Sequence, residues 1–283
     1  MTPHPESPAA LAGRTLFAPI APWMARFDGP RLPDAAALTA LLREAVPQAQ
    51  TGSGHALRFE HADVADGYEA HIDASGRVPT RRDDWHDFFN ALSWCAWPLA
   101  KAALNAAHAH EITARHAAGL TGRGPRRDAL TQFDECGMVV TSCDPAILNG
   151  LATHAWEEVF WRRRDALPAS TAFMVFGHAS WDALRAPFVG LCAKTLHRLV
   201  APAWFALDAR ARSEDTDRWL AAQLANPKML TTPRLLRPLP LLGIPGVTPE
   251  SESRAYYRDT SQFRPARPGA VSSPSQPLPE AAR

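Results

Sequence analysis

The residues best suited to chemistry gather in one segment, DDWHDFFNALSWCAWPLAKAALNAAHAHE. Its patterning predicts two helices, Asp84 to Cys95 and Leu99 to Ala117, separated by Pro98, which breaks or kinks a helical run. On the first helix Trp85, Phe88, Phe89, Leu92 and Ala96 form an apolar face, flanked by a stripe of His86, Asn90, Ser93 and Trp97. His86 and Asn90 are four apart and therefore neighbours. On the second helix Lys101, Asn105, His108 and Ile112 share a stripe beside small alanines. Two helices meeting at Pro98 can aim these polar groups at one region. Such a set would bind and polarise an anionic or carbonyl group. Lys101 would supply charge, Asn90 and Asn105 orientation, and an imidazole, His86 or His108, proton transfer near neutral pH. The bland alternative has the amides and imidazoles satisfying loop backbone groups while Lys101 reaches to water.

Further candidates lie downstream. His178, in FMVFGHASW, follows an apolar strand and opens a helix, whose free amides could meet an anion, although a packed or capping imidazole is equally consistent. His86 and His178 are the catalytic candidates; Asn90, Lys101, Asn105 and His108 are the ligand-binding ones. Asp134 and Glu135 are adjacent acids, a weak candidate pair for a divalent cation; turn chemistry is the simpler reading. Asp87 sits farther from the apolar face than His86 and reads as a solvent-exposed carboxylate. Arg126, Arg127 and Asp128 read as surface pairing. No zinc-spaced Cys/His set, H-E-x-x-H or G-x-S-x-G occurs, and no cofactor follows from the sequence.

The elements that position these residues point to a mainly helical α+β fold in a single domain with short antiparallel strand pairs. A helix is expected over Pro33 to Val46. HALRFEHA and GYEAHIDASGRV are β-like, since Tyr68, Ala70 and Ile72 alternate with polar residues. Leu130–Phe133 and Met138–Thr141 read as hairpin arms around an Asp-Glu-Cys-Gly turn. Asp144-Pro145 starts a helix reaching about Arg163; TAFMVFG is a strand; helices follow through Val200 and over Ser213 to Leu224. Prolines from Asn226 to Pro249 suggest an extended surface wrap, anchored by Tyr256, Tyr257, Phe263 and Arg264. Residues 1–12 are expected to be loose, 13–265 globular, and 266–283 disordered.

The 283 residues are 46% hydrophobic and carry a net charge of +1, which excludes global disorder and bulk electrostatic recruitment to nucleic acid. The stretch from Phe88 to Ala100 is far shorter than the roughly 20 apolar residues of a membrane span. With no signal peptide and four cysteines lacking a C-x-x-C pair, the expected setting is the cytoplasm, with free thiols. A small-molecule ligand is the expected partner, with neither nucleic acid nor membrane. The two functional readings are a hydrolase or lyase with histidine acid–base chemistry, and a non-enzymatic binding or protein-interaction module.

WHDFFNALSW with P-x-x-KAALN, RRDALTQFDECG, FGHA and the late YYRDTSQFRP resemble a bacterial family catalogued only as a domain of unknown function. The resemblance spans about Leu16 to Pro265. It implies one recognised unit and assigns no activity, cofactor or catalytic residue.

Overall fold

A computed structural model describes residues 7–62 and 67–266, which form a mainly helical α+β fold. The chain opens with two one-turn helices, α1 (Pro8–Leu11) and α2 (Ala21–Met24). Ser7 is buried and caps α1 by accepting from Ala10 N, so part of the segment expected to be loose is a defined turn; residues 1–6 lie outside the described residues. Helix α3 (Ala35–Ala45) starts on the Asp34 side chain and buries Leu38, Leu41 and Leu42, as its spacing predicts.

Strands β1 (Arg58–His61) and β2 (Arg77–Thr80) pair in parallel, with α4 (Tyr68–Ser75) between them in the chain. The strand expected over Tyr68 to Asp73 is therefore a helix. Parallel partners need a crossover connection, and a helix is its usual form. Tyr68 and Ile72 are four apart, so the alternation also places them on one helical face, and Ile72 is buried.

Helices α5 (Trp85–Ala96) and α6 (Pro98–Ala117) meet at Trp97, as Pro98 predicts. Helix α7 (Gly124–Cys136) replaces the first arm and turn of the expected hairpin. Arg126, Ala129, Leu130 and Phe133 are buried at the i, i+3, i+4, i+7 spacing of one helical face. The chain passes at once into β3 (Gly137–Ser142), which leaves Asp134 and Glu135 on the last helical turn.

Helix α8 (Pro145–Ala152) begins on its Asp144 cap but ends before His154, which has φ 59°. A separate π-helical turn, Glu158–Arg162, stands where one continuous helix was expected. Helix α9 (Leu167–Ser170) leads into the predicted strand, β4 (Thr171–Val175), and α10 (His178–Ala183) follows. Cys192–Leu199 forms strand β5, not helix, with Ala193 and Thr195 buried at alternate positions. Helix α11 (Ala209–Ala225) packs along α6, and its Asp217 carboxylate accepts from Leu99 N and Ala100 N at 3.0 and 2.8 Å, securing the start of α6. Arg237–Pro240, inside the expected wrap, is the edge strand β6, a position that tolerates Pro238 and Pro240.

The larger sheet runs β4-β3-β5-β6, with β3 antiparallel to β4, parallel to β5, and β5 antiparallel to β6. The expectation of antiparallel pairs thus holds for two of the pairings only. The Phe263 ring lies edge to face with Tyr256 at 5.0 Å and tilted against Tyr257 at 5.1 Å, and Trp156 Nε1 donates to the Arg264 carbonyl, forming the expected C-terminal anchor. The tail from 267 lies outside the described residues. All four cysteines are free thiols, and among the described residues no helix is long and apolar enough to cross a membrane.

Candidate functional site

Three chain segments are held together at one point. Ser93 Oγ on α5 and Trp97 Nε1 just past its end donate to the Phe176 and Val175 carbonyls, each at 3.1 Å, fixing α5 against the end of β4. Gly177 N donates to the Gly137 carbonyl at 2.9 Å. A Cβ on Gly177 would lie 2.4 Å from Gly137 N, so only glycine lets the β4–α10 turn approach the end of α7 this closely. Next to it in sequence, His178 meets both His86 and the last turn of α7. The two imidazoles stand edge to face, centroids 4.4 Å apart. Both present Nε2 to Glu135 Oε2, His86 at 3.2 Å and His178 at 3.6 Å. Each Nδ1 faces a second carboxylate: His86 lies 3.3 Å from Asp87 Oδ1, and His178 lies 3.9 Å from Asp134 Oδ1.

The electrostatics follow from this layout. Asp134 and Glu135 occupy the carbonyl end of a helix, where the backbone dipole disfavours negative charge. They require cations, and the fold supplies them. Lys101, 3% exposed, donates to Asp134 Oδ1 at 2.6 Å and Asn90 Oδ1 at 3.0 Å. Burial would raise the Asp134 pKa, but Lys101 and then His178 hold it below the usual carboxylate value. Glu135 is likewise lowered against its burial, chiefly by the hydrogen bond from His86. Hydrogen bonds to Asp87 and Glu135 lift His86 to about 10, whereas burial depresses His178 to about 4. His178 is 3% exposed, and its Nδ1 is buried without a hydrogen-bond partner among the described residues. Most buried polar atoms are paired, so this unpaired nitrogen marks the cluster as unusual.

Residues 57–267 match the family described as a protein of unknown function, DUF3025. The chain belongs to that family. The match spans every residue of the cluster and agrees with the expected family of unknown function, starting at residue 57 where the expected resemblance began near Leu16. No curated protein and no solved structure matches the chain.

In this DUF3025 protein the cluster lines a cavity of about 440 Å³, within the usual range for small-molecule sites. His86, Asn90, Asp134, Glu135 and His178 reach its wall. Three other candidates stand outside its lining. Lys101 is enclosed by Asp134 and Asn90 and contacts the cavity through them. Asn105 is buried and donates to the Glu69 carbonyl and to Glu69 Oε2, at 2.9 and 2.7 Å. His108 is buried with both ring nitrogens unpartnered among the described residues, and burial lowers its pKa to about 4. Asp87 is not exposed as expected. It is 6% exposed and bridged by Arg81, whose Nε and Nη2 donate to the two carboxylate oxygens at 2.9 and 2.8 Å.

Sequence reasoning missed Tyr68, Glu69 and Arg81, and took Arg127 for surface; all four line the cavity. Tyr68 Oη accepts from Asn90 Nδ2 at 2.9 Å, and burial raises its pKa well above normal. Burial, then the Asp134 charge, lifts Glu69 to about 7. The signal for Tyr68 and Glu69 was the pair of glycines, Gly67 and Gly76, that bracket α4 as a short helix.

Proposed function

We propose that His86, Glu135 and His178 bind one divalent first-row metal ion, Zn²⁺ in the first instance. The ion would polarise a small anionic or carbonyl-bearing substrate for hydrolysis or a lyase reaction. The observation that carries this reading is the convergence of one nitrogen each from His86 and His178 and one Glu135 carboxylate oxygen, all within 4.8 Å of one another, with both Nε2 atoms facing Glu135 Oε2. Tetrahedral zinc with bonds of about 2.0–2.1 Å places its ligand atoms about 3.3 Å apart, close to the separations from Glu135. Asp87, 3.3 Å from His86 Nδ1, is the usual kind of carboxylate partner that orients a metal-bound histidine.

Three protein ligands on a cavity wall leave a coordination position open, whereas a structural zinc site closes its shell with four. That favours a reactive centre over a purely binding or interaction module. His86 and His178, the acid–base candidates of the sequence, then serve as ligands. Proton transfer falls to Glu69, which lines the same cavity and is lifted to about 7. Free thiols at all four cysteines support a cytoplasmic setting.

The test is metal content. After equilibration with Zn²⁺ and desalting, the wild-type chain retains one ion, while folded His178→Ala and Glu135→Gln retain none. Cobalt substitution reports the geometry through its d–d spectrum. A wild-type chain that keeps no metal, or variants that keep as much as wild type, overturns the proposal.

A further inference from the structure

We infer that Arg127 is the anion-recognition residue of this cavity, and that the substrate carries an oxyanion, a carboxylate or phosphate, at the end away from its reacting group. The inference rests on the metal reading for where the reacting group lies, but the Arg127 site stands on separate observations. The first is the pairing of the charges around the cavity. Arg81 is committed to Asp87 and Asp84, Lys101 to Asp134, and Glu135 to the imidazoles. Arg123 lies 3.8 Å from Asp128 and also donates to Thr131.

Arg127 is the exception. It makes no ion pair or hydrogen bond among the described residues, and its Nε is buried without an acceptor. Burial, then the charge of Arg123, disfavours its own charge; Arg115 adds to this, while Glu69 and Asp128 oppose it. An oxyanion would supply the acceptor and relieve that repulsion, and a guanidinium presents the planar fork that fits a carboxylate or phosphate bidentately.

Placement supports the same reading. Arg127, Thr131 and Asp134 follow one another at i, i+4 and i+7 on α7, so they share one face of the helix, and all three line the cavity. Seven residues advance the helix by about 10 Å, so the backbone positions of Arg127 and Asp134 are well separated along the cavity wall. The arrangement fits a compact, two-ended substrate.

The experiment is calorimetric titration of the zinc-loaded full chain with inorganic phosphate and, separately, with succinate. Wild type, Arg127→Gln and Arg127→Lys are compared after their zinc content and melting temperature have been verified. At least one anion is expected to bind wild type and to weaken about tenfold or more in Arg127→Gln, with Arg127→Lys between them. A response to phosphate alone assigns a phosphorylated substrate; a response to succinate alone assigns a carboxylate. Failure of both anions to bind zinc-loaded wild type, or equal binding by wild type and Arg127→Gln, overturns the inference. If the chain holds no zinc, the metal reading fails instead, and the same titrations on the metal-free chain still decide the role of Arg127.

Discussion

Removing the ammonium of Lys101 is expected to destabilise the fold more than any change on the cavity rim. Lys101 and Asp134 side chains are 4% and 10% exposed and 2.6 Å apart. Two unit charges about 3 Å apart attract by roughly 5 kcal/mol at an effective dielectric near 20, an attraction offset by the desolvation of both. Lys101→Met keeps the volume but leaves Asp134 buried, at the carbonyl end of α7, without its cation. The expected loss is about 3–5 kcal/mol. Asp134→Asn should cost about as much in a Lys101 background. The double variant, Lys101→Met with Asp134→Asn, buries no uncompensated charge and should recover at least about 2 kcal/mol relative to the sum of the singles. Urea unfolding of all four proteins in chelator at pH 7 measures the cycle without any contribution from bound metal. Single losses below about 1 kcal/mol, or strict additivity, would refute the claim that this pair holds α6 and α7 together.

Two further outcomes follow from the same structure. The native pKa of Glu69 is raised to about 7, so its contribution to stability is fully present below its unfolded value near 4.5 and is lost as pH rises through 7. Glu69→Gln should flatten that part of the stability–pH curve, by no more than about 2 kcal/mol because the side chain is partly exposed, and an unchanged slope would show that another group titrates there. Gly177→Ala forces a Cβ against Gly137 N and should cost about 3 kcal/mol, while lowering zinc retention in the protein that still folds; full stability and full retention would mean the turn does not set the position of His178.

The sequence makes some of this site legible and hides the rest for identifiable reasons. The α5–α6 pair is readable because Asp84, Pro98 and the aromatic face of α5 agree with one another, and that agreement puts His86 and Asn90 on a shared flank. Helical spacing fixes a face but not the neighbour opposite it. Lys101 and Asn105 therefore emerge as ligand candidates, although Asp134 and Glu69 occupy the space in front of them. Asp134 and Glu135 resemble turn residues because acids before a glycine usually end a chain reversal; here the glycine begins a strand and the acids finish a helix. Arg127 is invisible as a binding group, since a charged residue beside two others reads as solvated surface until the cavity behind it is seen.

The three proposed ligands also lie far apart along the chain. His86 and Glu135 are separated by 49 positions, and His178 lies beyond both. No short peptide can gather them, in contrast to zinc fingers, whose ligands come in closely spaced pairs. Closing such loops must precede any ion capture, so a bound ion would not nucleate folding but would join a finished chain. Bound metal would then stabilise only the assembled state, and its release would report the transient undocking of the β4–α10 turn from the end of α7. Hydrogen exchange at Phe176 and Gly177, whose amides close that junction, should slow on metal loading while the amides of α11 keep their rates. A metal-binding site would thereby double as a gauge of tertiary breathing in the protein that houses it.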